Sequence, residues 1–93
     1  MKFEWDPAKN KSNRRKHGIT FEEAKTVFQD KMAIEIYDVD HSYHEDRYIL
    51  IGISRRDYEL MVCHCYKDDG NTIRIFSARR ATNAEKMLYE RGY

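Results

Sequence analysis

Between residues 32 and 79 the chain alternates four apolar runs with short polar breaks, and no other feature narrows its possible folds as much. The runs lie at about 32–39, 46–54, 58–66 and 72–79. Arg55-Arg56-Asp57 and Lys67-Asp68-Asp69-Gly70-Asn71 are hairpin-length breaks, so the runs they join should pair antiparallel. Asp40–Glu45 makes a more open loop. Side chains alternate along a strand, so Leu60, Val62, His64 and Tyr66 share one face of the third run. Met61, Cys63 and Cys65 share the other. Helices must cover one face of such a sheet, while the other can stay open to a ligand.

Helix signals flank this block. A polar–aromatic strand at 2–5 precedes Asp6-Pro7, an N-cap followed by proline at the first helical position. The helix they open, about 7–16, is almost wholly polar, and Gly18 ends it in a left-handed turn. Thr20-x-x-Glu23 reads as a capping box for a second helix reaching about Gln29, with Phe21, Ala24, Val27 and Phe28 as its apolar stripe. Thr82-x-x-Glu85 opens a last helix, docked by Ala84, Met87 and Leu88 and ended by Gly92. The expected fold is α+β: an antiparallel sheet with two N-terminal helices and one C-terminal helix packed on it, as a single domain over residues 1–93.

The net charge of +1 hides an uneven distribution. Residues 1–19 hold six Lys and Arg against two acids, residues 20–46 two against eight, and residues 47–93 nine against six. If the two ends share a face, that face is basic and the middle is its acidic opposite, either a solvated face or one for a basic partner. The first fifteen residues lack an apolar run, so no secretory signal is expected. No stretch approaches the roughly twenty apolar residues of a membrane span. The expectation is a cytoplasmic protein with free thiols and no membrane partner. Cys63-His64-Cys65 invites a metal reading, but strand alternation points both sulfurs away from the imidazole. No cofactor is expected.

The residues Phe3–Asp6, Lys9, Asn13, Lys16-His17-Gly18, Phe21-Glu22-Glu23-Ala24, Phe28 and Asp30 resemble the N-terminal half of the BrnT family. Glu45-x-Arg47, Gly52, the strand ending His64-Cys65-Tyr66, and Arg74-Ile75-Phe76-Ser77-Ala78-Arg79 resemble its C-terminal half. The resemblance implies a RelE-like fold and a metal-independent ribonuclease toxin of a type II toxin–antitoxin pair. It also implies RNA as substrate and a nearby-encoded BrnA-like antitoxin of ribbon-helix-helix type. That antitoxin would wrap the toxin and carry the contact with operator DNA.

RNA cleavage without a metal needs a base for the 2′-hydroxyl, a cation for the phosphorane and an acid for the leaving 5′-oxygen. His17 and His64 suit the proton transfers. His17 also reads as a helix-end cap, and His64 as a satisfied core histidine. Arg79, Arg80 and Arg47 suit the phosphate, since a guanidinium binds oxyanions in a bidentate way. Their alternative is pairing with acids, Glu85 or Asp30 for the first two and a cross-hairpin partner for Arg47. Lys16 stands beside His17. Lys9 and Arg14, with Lys11 and Arg15, either track an RNA backbone or form a solvated face. Tyr66, Tyr89 and Tyr93 are candidate base-stacking groups, Tyr66 foremost. Trp5 and Phe3 read as core. A rival reading is a non-catalytic binding module; a third is a RelE-like toxin that acts by binding a protein.

Overall fold

Residues 1–92 are described by the computed structural model; Tyr93 lies outside them. The chain opens with β1 (Lys2–Glu4). Asp6 then caps α1 (Pro7–His17), its carboxylate accepting from the Ala8 N–H at 2.9 Å, and Pro7 sits where a missing N–H costs nothing. Gly18 ends α1 at φ 72°, its N–H donating to the Arg14 carbonyl at 2.8 Å.

Thr20 caps α2 (Phe21–Ala24), which runs on as a 3-10 helix over Lys25–Gln29. Only half of the expected capping box forms. The Thr20 hydroxyl accepts from the Glu23 N–H at 3.1 Å, but the buried Glu23 carboxylate turns inward to accept from Ser54 Oγ at 2.8 Å. The strands follow as β2 (Ile34–Tyr37), β3 (Tyr48–Ile53), β4 (Glu59–Lys67) and β5 (Thr72–Arg80), and α3 (Asn83–Arg91) closes the fold. Here the box is complete: Thr82 accepts from the Glu85 N–H, and the Glu85 carboxylate accepts from the Thr82 N–H.

The sheet order is β1-β5-β4-β3-β2. The pairs β2–β3, β3–β4 and β4–β5 are antiparallel, but β1 runs parallel to β5, with Phe3 opposite Ile73. The sheet is therefore mixed, which corrects the expected all-antiparallel sheet. Short turns dictate antiparallel pairing only for sequential neighbours; β1 reaches β5 from the far end of the chain, free of any hairpin.

Helices cover the Leu60–Val62–His64 face. Ile19, Phe21, Ala24 and Val27 pack there against Leu50, Leu60, Val62, Ile73, Ile75 and Ala78. Phe3 meets Phe28 and Trp5 meets Phe21, both edge to face, at 5.4 and 6.0 Å. Gly52 lets this layer close: a Cβ there would lie 2.8 Å from the Ala33 Cβ and 3.0 Å from Val27 Cγ1. On the opposite face α3 covers a smaller group, setting Leu88 and Tyr89 against Ile34, Ile51 and Met61. The rest of that face, around Cys63 and Cys65, is crossed by charged side chains.

Hydrogen bonds hold several carboxylates low. Burial raises Asp30, but the Ile53 N–H at 2.8 Å, the Tyr89 hydroxyl at 2.7 Å and the Met32 N–H at 2.9 Å outweigh it and hold it below the usual range. The same contact pushes the Tyr89 hydroxyl, already raised by burial, up to about 12. Burial likewise raises Glu85, and Arg79 and the Thr82 N–H outweigh it. A carboxylate lowered by folding stabilises fully above its unfolded pKa of about 4, and that stabilisation is lost as pH falls through the lower folded value. Thermal melts should therefore show Tm falling below about pH 4. Asp30→Asn should lower Tm at pH 7, with the gap to wild type narrowing towards pH 3. A gap that stays constant with pH would refute this assignment.

Candidate active site

A β-bulge decides which side chains reach the open face. Cys63 pairs with Ser77 and His64 with Ile75, so Phe76 is an extra residue in β5. Ile73 and Ile75 point to the helix-covered core before the bulge, and Ala78 after it. Arg74, Ser77 and Arg79 consequently share the open face with Cys63 and Cys65.

α1 lies beside β5 where β1 no longer covers its edge, and Asn13 joins the two. Its buried amide donates to the Ala78 carbonyl at 2.7 Å and the Ile19 carbonyl at 2.8 Å, and its oxygen accepts from the Ala78 N–H at 3.1 Å. One side chain thus does for the β5 edge what a neighbouring strand would do. Asn10 adds a second tie, accepting from the Phe21 N–H at 2.8 Å. So fixed, α1 presents Lys9, Lys16 and His17 to Phe76 and Ser77 across a groove of about 190 Å³.

Arg47 comes from the far side. Its guanidinium carbon lies over the Phe76 ring, 3.8 Å from its centre, with Lys9 Nζ 5.8 Å from the same ring. Nη2 of Arg47 donates to Glu45 at 3.2 Å, while its Nε is buried with no hydrogen-bond partner among the described residues. Arg79 stands on the same face at the margin of α3. Both its terminal nitrogens bond the two oxygens of Glu85, at 2.8 and 2.9 Å, and these bonds raise its pKa further against burial. Glu85 therefore serves the α3 cap and Arg79 at once. Burial pushes the Cys63 thiol up, opposed by Ser77, Arg79 and Arg47, so it stays protonated at neutral pH. Among the described residues no group of three or more His, Cys, Asp and Glu is placed to hold a metal ion.

Four of the candidates lie elsewhere. His64 is fully buried on the helix-covered face, 4.8 Å from the Phe28 ring and stacked on Tyr48 at 6.1 Å. Its Nδ1 bonds the Val62 carbonyl at 3.1 Å and its Nε2 the Glu35 carboxylate at 2.9 Å. The helices cover its face, so it cannot pair with His17. Tyr66 shares that face and donates to Glu35; burial and this carboxylate raise its hydroxyl far above its ordinary value. Arg80, one residue on from Arg79, points the opposite way and stacks on Tyr58 at 4.1 Å. Arg14 follows Asn13 by one residue, roughly 100° round the helix, outside the groove. Sequence reasoning assigned no role to Phe76, Ser77 or Asn13. The run Arg74–Arg79 and the position of Asn13 carried the signal, but side-chain type alone did not show that they meet.

The chain resembles known proteins over most of its length. The family described as ribonuclease toxin, BrnT, of type II toxin-antitoxin system matches residues 5–85. A crystal structure of the Brucella abortus ribonuclease toxin BrnT aligns with a TM-score of 0.68 at 21% identity, over 89% of this chain and 99% of that one. At this identity the likeness speaks to the fold, and the two share it. No curated protein matches the sequence. No helix among the described residues is long and apolar enough to cross a membrane. With the family pattern running from Trp5 to Glu85, this chain belongs to the BrnT family of ribonuclease toxins of type II toxin–antitoxin systems.

Proposed function

We propose that this protein is a cytoplasmic, metal-independent endoribonuclease of RelE-like fold that arrests growth by cutting RNA and so inhibiting translation. The observation that carries this reading is the convergence of Lys9, Lys16 and His17 on Phe76 and Ser77, on the face that also holds Arg47 and Arg79. In the reaction a base takes the 2′-hydroxyl proton, the 2′-oxygen bonds to phosphorus, and the bond to the 5′-oxygen breaks as an acid protonates it. The products are a 2′,3′-cyclic phosphate and a free 5′-hydroxyl. Arg47 and Arg79 stabilise the charge that builds on the phosphorane oxygens. His17 carries one of the two proton transfers, and Lys16 and Lys9 bind the RNA backbone. A BrnA-like ribbon-helix-helix antitoxin, encoded nearby, neutralises the toxin and makes the contact with operator DNA.

One observation favours the rival, a non-catalytic binding module: Glu85 occupies both terminal nitrogens of Arg79. Cleavage of a labelled naked RNA in excess EDTA separates the two. The expected result is cyclic-phosphate products from the wild type and a loss of about 10²-fold or more in His17→Ala, the usual scale of general acid–base catalysis. No products on naked RNA or in translating extracts would leave the binding module.

A further inference from the structure

Beside the groove, the same sheet face carries a second cationic cluster. Tyr48 pairs with His64, so Arg47, one residue earlier, stands beside Cys65, which itself pairs with Arg74. Lys67 follows two residues on in β4, on the same face. Cations from β4, β5 and the residue before β3 thus surround one small buried thiol, 2% exposed. They lie about 7 Å along the strands from the row containing Ser77. That step matches the spacing of successive phosphates in an extended RNA strand.

The cluster already holds an anion. One oxygen of Glu45 lies 3.2 Å from Arg47 Nη2 and the other 4.0 Å from Lys67 Nζ, so a single carboxylate spans two of these cations. Arg74 is partnered separately, by Glu4 at 2.8 Å. Glu45 belongs to the open loop before β3, and its side chain is 35% exposed. An ion pair this exposed contributes little to stability, so displacing it costs little. A phosphate brings more charge and a further oxygen than the carboxylate it would displace.

We propose that Lys67 and Arg74, with Arg47 shared from the cleavage groove, form a second RNA-phosphate subsite next to that groove, which Glu45 fills in the absence of RNA. This rests on the ribonuclease reading for its substrate but not for its test. The probe is a short fluorescent RNA made uncleavable by 2′-deoxy substitution, its binding followed by anisotropy over a range of salt. Lys67→Gln should weaken binding about tenfold, the scale of a lost charge-assisted contact, and reduce the salt slope by about 0.7, one phosphate on a single strand. Glu45→Gln should tighten binding several-fold. A single uncharged methylphosphonate linkage, moved along the probe, should have one position that costs the wild type about tenfold and Lys67→Gln almost nothing. Equal affinities for wild type and Lys67→Gln, or weaker binding by Glu45→Gln, would overturn the subsite. The parallel cleavage assay reports separately on the ribonuclease reading, so either can fail alone.

Discussion

Arg47→Ala should lower kcat/KM for RNA cleavage by about 10²–10³ while leaving the melting temperature nearly unchanged, the scale expected when a donor to a developing oxyanion is removed. Arg47 is the guanidinium at the groove with donors to spare. Its contacts are one bond to Glu45 and the face of Phe76, so its loss orphans no buried partner. Arg79→Ala is a less clean test, because it also strips Glu85 of its bidentate partner beside the α3 cap. Arg47→Lys should recover only part of the activity, since an ammonium keeps the charge but neither stacks flat nor presents a planar fork. Arg80→Ala is the control. Its guanidinium lies over Tyr58 on the opposite face, and its removal should leave cleavage within about twofold, as for a surface contact. Single-turnover cleavage of one labelled RNA by the four proteins checks the set. Full activity in Arg47→Ala, or a large loss in Arg80→Ala, would move the site to the other face.

Asn13→Ala should cost about 3 kcal/mol of stability, because it leaves buried backbone groups unpaired at about 1–3 kcal/mol each. The Ala78 N–H, the Ala78 carbonyl and the Ile19 carbonyl would all lose their partner at once. In a domain of this size that corresponds to a fall in Tm of roughly 12 °C or more. Asn13→Asp should be at least as damaging although it keeps the shape. A carboxylate can still accept from Ala78 but can donate to neither carbonyl, and it sets negative charge against both oxygens. The effect reaches the site, since Asn13 fastens α1 to β5 and α1 carries Lys9, Lys16 and His17. Hydrogen exchange on the Ala78 amide would show the local loss directly, and native-like protection in Asn13→Ala would contradict the account.

Much of this protein was legible before its structure. Proline and glycine set the ends of α1, threonine the starts of α2 and α3, and short polar breaks the hairpins, because each of these acts over a few residues of backbone. Alternation placed His64 with Val62 and Leu60, apart from Cys63 and Cys65, and the structure keeps that division. The run Arg74–Arg79 was legible as a motif, but its geometry was not. Strict alternation would set Ser77 and Arg79 on the side of Ile73 and Ile75; the bulge at Phe76 reverses them.

Local chemistry in the sequence thus determined the elements, their caps, the hairpin partners and the two-sided character of β4. Tertiary structure alone decided which side became the core. The apolar stripe of α2 and the following turn settled on the His64 face, and that choice removed His64 and Tyr66 from the surface that Arg47 and Arg79 share. It also decided that β1 joins β5 in parallel and that α1 docks on the edge left free. The reason is range: caps and turns are short-range contacts, whereas facing and edge pairing come from burying side chains that lie far apart along the chain.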